Sequence, residues 1–122
     1  MNTSMVRAIR GATTTTQDTC DAVSEATSEL LSEVLSRNLL GPEDLISILF
    51  TATPDLVSEF PAVAARSLGL SSVPLMCAQE IPVEGAMARC IRVLIHCYSP
   101  AHRPIRHVYL RDARQLRLDL SE

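Results

Sequence analysis

Apolar residues recur at every third or fourth position from Val23 to Leu35. Val23, Ala26, Leu30, Leu31, Val34 and Leu35 fall on one side of a helix, with Glu25, Glu29 and Glu33 on other faces. Just ahead of it, Thr14-Thr15-Thr16-Gln17 matches a capping box, in which a hydroxyl and an amide satisfy the first free N–H groups. Gly41-Pro42 stops this helix, and Pro42-Glu43-Asp44 opens one further turn. Elsewhere the pattern is that of strands. Met5–Arg10 alternates and ends at Gly11, and Leu45–Thr53 is an apolar run of strand length closed by Pro54. Pro61–Leu68 reads as a short helix with Pro61 near its first position and Gly69 as its cap. Val73–Gln79, interrupted near its start by Pro74, then Cys90–Tyr98 and Ile105–Leu110 are further strands. Pro100, His102 and Pro104 mark the loop between the last two. Arg114–Leu118 adds an edge strand or a tail. The order predicts an α+β fold, a mixed β-sheet packed against one long and one short helix.

Length and composition narrow this picture. With 122 residues, of which 47% are apolar, the chain has the size and content of one domain. The expected organisation is therefore a single unit over 1–122. A net charge of -3 and an aromatic content of 3% leave neither a basic stripe nor stacking platforms, so no nucleic-acid partner is expected. All 11 basic residues are arginine. Without lysine, Schiff-base and lysine-nucleophile chemistry are excluded. Cys20, Cys77, Cys90 and Cys97 show no C-x-x-C spacing, so neither a zinc site nor a redox pair is indicated. No secretory leader precedes them and no run approaches the ~18 apolar residues of a membrane span, which predicts a cytoplasmic protein with reduced thiols.

Candidate chemistry lies in the strands. In Cys90-Ile91-Arg92-Val93-Leu94-Ile95-His96-Cys97 one guanidinium enters a run that reads as buried, so Arg92 needs an anion, a cavity or an ion pair with Glu80 or Glu84. Arg10, at the end of the first strand, is either a solvated end or a second anion ligand. In the last strand His107 and Tyr109 share one face, as core, interface or ligand groups. Glu80, flanked by apolar residues before Pro82, is a turn carboxylate or part of a site. No Ser–His–Asp order, phosphate loop or metal spacing stands out. Several arginines facing one pocket suggest an anionic ligand.

Taken together, the segments resemble a known family. Arg10-Gly11-Ala12-Thr13-Thr14 is similar to the opening strand and turn of the trimeric, pseudo-α/β-barrel (AroH-type) chorismate mutases. Thr51-Ala52-Thr53-Pro54-Asp55-Leu56 with Phe60-Pro61-Ala62 resembles their central segment, and Cys77-Ala78-Gln79-Glu80 their C-x-Q-E loop. Cys90-Ile91-Arg92-Val93 resembles the catalytic strand. Arg106-His107-Val108-Tyr109-Leu110, followed by Leu116-Arg117, resembles the last strand and tail. The likeness spans about Val6 to Leu120, with all five motifs in order, and implies a core over about 6–120 with a mobile tail over 111–122.

The resemblance implies a homotrimer forming a pseudo-α/β barrel, with active sites in clefts between subunits. It implies a cofactor-free, metal-free rearrangement of chorismate to prephenate, in aromatic amino acid biosynthesis. Arg10, Glu80, Arg92, Tyr109 and Arg117 would come mainly from one subunit. Phe60, Ala62, Arg66, Leu75, Met76 and Cys77 would line the cleft largely from its neighbour. On this pattern Arg92 meets the ether oxygen, Arg10 and Tyr109 hold a carboxylate, and Glu80 accepts from the ring hydroxyl with Cys77 nearby. Phe60 and Leu75 press on the enolpyruvyl arm, while Leu116 and Arg117 belong to a partial lid. Two departures stand out: Val63 occupies a position where the family often has lysine, and Met76 one that is commonly polar or small. Two other readings use the same residues, a non-catalytic trimer binding a small dicarboxylate and an interface held by structural ion pairs.

Overall fold

The computed structural model describes the backbone of residues 4–117 and the side chains of 4–116. Five strands form one mixed sheet in the order β3-β2-β4-β1-β5, from β1 (Ser4–Thr14), β2 (Leu45–Ala52), β3 (Leu75–Gln79), β4 (Cys90–Pro100) and β5 (Val108–Tyr109). The central strand β4 runs antiparallel to both β1 and β2, while β3 and β5 join the flanks in parallel. Helix α1 (Cys20–Arg37) and the short α2 (Ala62–Ser67) pack on one face.

Alternation decides which face they cover. Ile9 of β1, Ile48 and Phe50 of β2, and Ile91, Val93 and Ile95 of β4 are almost fully buried, packing with Leu30, Leu31 and Val34 of α1 or, for Ile91, with Val23 and Ala26. Helix and sheet approach most closely at Gly11. A Cβ there would meet Val93 Cγ2 at 3.0 Å, Leu30 Cδ1 at 3.1 Å and Val34 Cγ2 at 3.3 Å. The opposite face carries Val6, Ala8, Arg10, Leu49, Thr51, Met76, Arg92, Leu94, His96 and Tyr98, the alternate positions of the same strands. Its lower end is covered by a 3-10 helix, Arg111–Arg117, through a small cluster of Ala12, Tyr109, Ala113 and Leu116.

Several expected elements are corrected. Strand β1 runs on past Gly11 to Thr14 because β4 offers an unbroken ladder, ending in Thr14 opposite Cys90. The capping box at 14–17 does not form. Thr15 Oγ1 instead accepts from the Gln17 amide at 3.0 Å, and Thr19 is the N-cap, its hydroxyl accepting from Ala22 N at 3.1 Å. Helix α1 ends at Arg37, before Gly41-Pro42, because the Asn38 side chain donates to Val34 O at 2.9 Å and Leu39 turns to a φ of 55°. The strand expected over Ile105–Leu110 shrinks to Val108–Tyr109. Asn38 replaces the missing ladder: its Oδ1 accepts from Arg106 N and its Nδ2 donates to Arg106 O, both at 2.9 Å. The edge strand expected as one reading of Arg114–Leu118 does not form: Arg111–Arg117 is a 3-10 helix packed on β1, and 118–122 lie outside the described residues. No described helix is long and apolar enough to cross a membrane.

Candidate active site

The register of the sheet assembles the site. Ala78 of β3 lies beside Thr51 of β2, which lies beside Arg92 of β4, then Ala12 of β1 and Tyr109 of β5. One row thus crosses all five strands on the face that the helices leave open. In the next row Met76, Leu49, Leu94 and Arg10 follow one another. A cavity of about 290 Å³ opens over these two rows, lined by Arg10, Leu49, Thr51, Arg92, Leu94, Tyr109 and Leu116, among others. That volume lies near the lower end of small-molecule sites, ~300–1,000 Å³.

Arg92 is not buried, contrary to the sequence expectation; its side chain keeps 49% of its exposure. The apolar run hid a simple alternation, in which Ile91, Val93 and Ile95 enter the core and Arg92 points away from it. Of the alternatives for Arg92, the ion pair with Glu80 forms: Arg92 Nε stands 3.0 Å from Glu80 Oε2. Glu80 is more enclosed, at 17% exposure, and its backbone amide continues the sheet by donating to Ala52 O at 2.9 Å. Its carboxylate also accepts from Thr51 Oγ1 at 2.5 Å, on the same Oε2. With Nε committed to Glu80, the two terminal guanidinium nitrogens are the donors left for a ligand. A second opening is lined by Thr51, Gln79, Glu80, Ile81, Val83, Ala86 and Arg92. Arg92 therefore borders two openings and Glu80 one of them. His107, just before β5, is tied to β1: its Nδ1 accepts from the Arg10 amide at 3.0 Å.

Residues 6–120 match the family described as chorismate mutase type I. The chain belongs to that family. It is 50% identical to the chorismate mutase AroH of Thermus thermophilus over 120 residues, covering 96% of this chain and 98% of that one. It is 44% identical to the chorismate mutase AroH of Bacillus subtilis (strain 168) over 119 residues, covering 96% and 94% respectively. A solved chorismate mutase from Clostridium thermocellum superposes with a TM-score of 0.85 at 45% identity, over 89% of this chain and 98% of that chain.

The residues carried over from the chorismate mutase pattern divide into two groups. Arg10, Arg92, Tyr109 and Leu116 share the first cavity, with Glu80 beside them. Phe60 and Cys77 line a different cavity of about 280 Å³, formed by the 52–61 loop and β3. Phe60 is 68% exposed, Met76 and Arg66 are exposed, and Leu75 is half-buried against the core. Ala62, on the buried face of α2, packs into the core and lines neither cavity. Arg117 ends the 3-10 helix, and its side chain lies outside the described residues. The two cavities share no lining residue.

Among the described residues no group of three His, Cys, Asp or Glu side chains could hold a metal ion. All four cysteines are free thiols; burial pushes the Cys90 thiol up to about 11 and raises Cys97 as well, which suits packing rather than nucleophilic attack. Sequence reading missed Thr51, whose hydroxyl sits in an apolar run. The available signal was its place two residues from Leu49 on the alternating face.

Proposed function

We propose that the chain converts chorismate to prephenate by binding the dianion over the Thr51–Arg92–Ala12–Tyr109 row, as an enzyme of aromatic amino acid biosynthesis. Family membership supports the reaction. The observation that carries the mechanism is the pairing of Arg10 and Arg92 across one cavity, with the Glu80 carboxylate fixed beside them.

The rearrangement is a concerted [3,3] shift, so no proton need move and no nucleophile is required. A protein accelerates such a step by holding the reactive conformer and by matching the charge that develops as the C–O bond breaks. Arg92 supplies the charge match. Its Nε is held by Glu80, which leaves the terminal nitrogens for the ether oxygen. Arg10 binds a substrate carboxylate, and Tyr109 assists from the neighbouring strand. The second carboxylate oxygen of Glu80 accepts from the ring hydroxyl. Leu116 and Arg117 close over the ligand and matter more for binding than for the chemical step.

The half-site around Phe60 and Cys77 is supplied by a neighbouring subunit of a trimer, with Leu75, Met76 and Arg66 alongside. Exposure of Val6, Tyr98 and Met76 on the open sheet face supports burial against other copies. In this arrangement Phe60 and Leu75 fold the enolpyruvyl arm over the ring. The chain acts as one domain and works in the cytoplasm.

A spectrophotometric assay following loss of chorismate tests the reading. Turnover without added metal or cofactor is expected. Tight prephenate binding with no turnover would instead mark a dicarboxylate binder.

A further inference from the structure

The reaction accounts for the arginines and for Glu80, but not for the hydroxyl placed between them. Thr51 lies in register with Arg92 on one side and Ala78 on the other. It borders the same two openings as Arg92. Its Oγ1 is 2.5 Å from the same Glu80 oxygen that accepts from Arg92 Nε at 3.0 Å. Two donors on Oε2 from two different strands fix the plane of the carboxylate. The other oxygen, Oε1, is then the one left to accept from a ligand. The same contact locks the guanidinium, since Arg92 turns only by giving up Nε–Oε2.

We propose that Thr51 is a positioning residue for the rearrangement, acting through Glu80 to aim both the carboxylate at the substrate hydroxyl and the Arg92 terminal nitrogens at the breaking bond. This rests on the reading of Glu80 and Arg92 given above. A carboxylate facing a dianion has electrostatic reason to swing away, and one arginine contact leaves it free to rotate about that contact. A hydroxyl across the β2–β4 ladder removes this freedom. Threonine suits the place because its β-branched side chain is stiff and favoured in a strand.

The test combines substitution and coupling in the full chain. Thr51→Val keeps the branched shape and removes the donor; kcat/KM for chorismate is expected to fall about 10- to 100-fold, mostly in kcat. Thr51→Ser, which keeps the hydroxyl, should stay within about threefold of the parent, whereas Thr51→Ala should fall like the valine variant. The serine–alanine pair isolates the hydroxyl even if loss of the methyl lowers the melting temperature. In a Glu80→Gln background, Thr51→Val should cost less than about twofold, because the two groups act as one unit. Parental kinetics in Thr51→Val, a serine variant as impaired as alanine, or an undiminished loss in the Glu80→Gln background would each overturn the proposal. Those results presuppose a parent that consumes chorismate; a parent that does not would overturn the functional reading itself, and Thr51's role with it.

Discussion

Single side chains in this protein work by holding others in place. Arg92 is half exposed, yet Glu80 fixes its inner nitrogen, so the guanidinium has a defined direction without burial. Lysine cannot reproduce this fork. Arg92→Lys should lose about 10²–10³ in kcat, the typical effect of removing one donor aimed at developing charge, with melting temperature little changed. Asp18 does comparable work for a loop. It accepts from the Ser58 hydroxyl at 2.6 Å and from the amides of Val57 and Ser58 at about 3.1 Å, tying the start of α1 to the segment that carries Phe60. The Ser58 hydroxyl chiefly, then those amides, hold its carboxyl below the usual 3.8, against an opposing effect of desolvation. A lowered folded-state value means that this stabilisation is complete well above pH 3.8 and fades as pH falls through the lower value. Melting temperatures of parent and Asp18→Asn should therefore differ at neutral pH and converge in strong acid. A constant gap across that range would contradict the assignment.

Elements follow from the sequence where one force dominates. The helical stripe from Val23 to Leu35 and the strand run of β2 are legible because burial sets their period. The gaps lie where side chains take over backbone pairing. Asn38 holds both polar groups of Arg106, so a segment that reads as strand hangs from the end of a helix instead. Thr19, and not the threonine run before it, caps α1 because Thr15 turns inward to the Gln17 amide. Arg92 reads as a core residue in the sequence because Leu94 sits on its face and blurs the alternation. The grouping of site residues comes from family likeness, and the register that aligns Thr51, Arg92, Ala12 and Tyr109 is a property of the folded sheet alone. The close approach of α1 to β1 yields a prediction at this scale. Gly11→Ala forces a methyl to within 3.0 Å of Val93 and 3.1 Å of Leu30. Overpacking of this kind should cost about 1–3 kcal/mol, readable by denaturant titration. Because Arg10 precedes this glycine, turnover should fall further than stability alone accounts for.

The whole molecule is lopsided. Helices cover one face of the sheet, and the other keeps Val6 and Tyr98 as a directly paired, half-exposed apolar couple. A face of this kind on a chain of 13.3 kDa, which as a small domain buries a modest share of its surface, suits association. Light scattering should give three times the chain mass for the parent. Tyr98→Asp should reduce the mass to that of one chain and abolish turnover, although Tyr98 lines neither cavity. A monomeric variant with full activity would refute the shared site.

The separation of the Arg92 cavity from the Phe60 cavity within one chain gives the proposed assembly a genetic signature. A chain crippled at Arg92 still lends a sound Phe60 wall, and a chain crippled at Phe60 still lends sound arginines. Two dead variants, unfolded together and refolded as a mixture, would rebuild a fraction of intact crevices and regain activity that neither parent possesses.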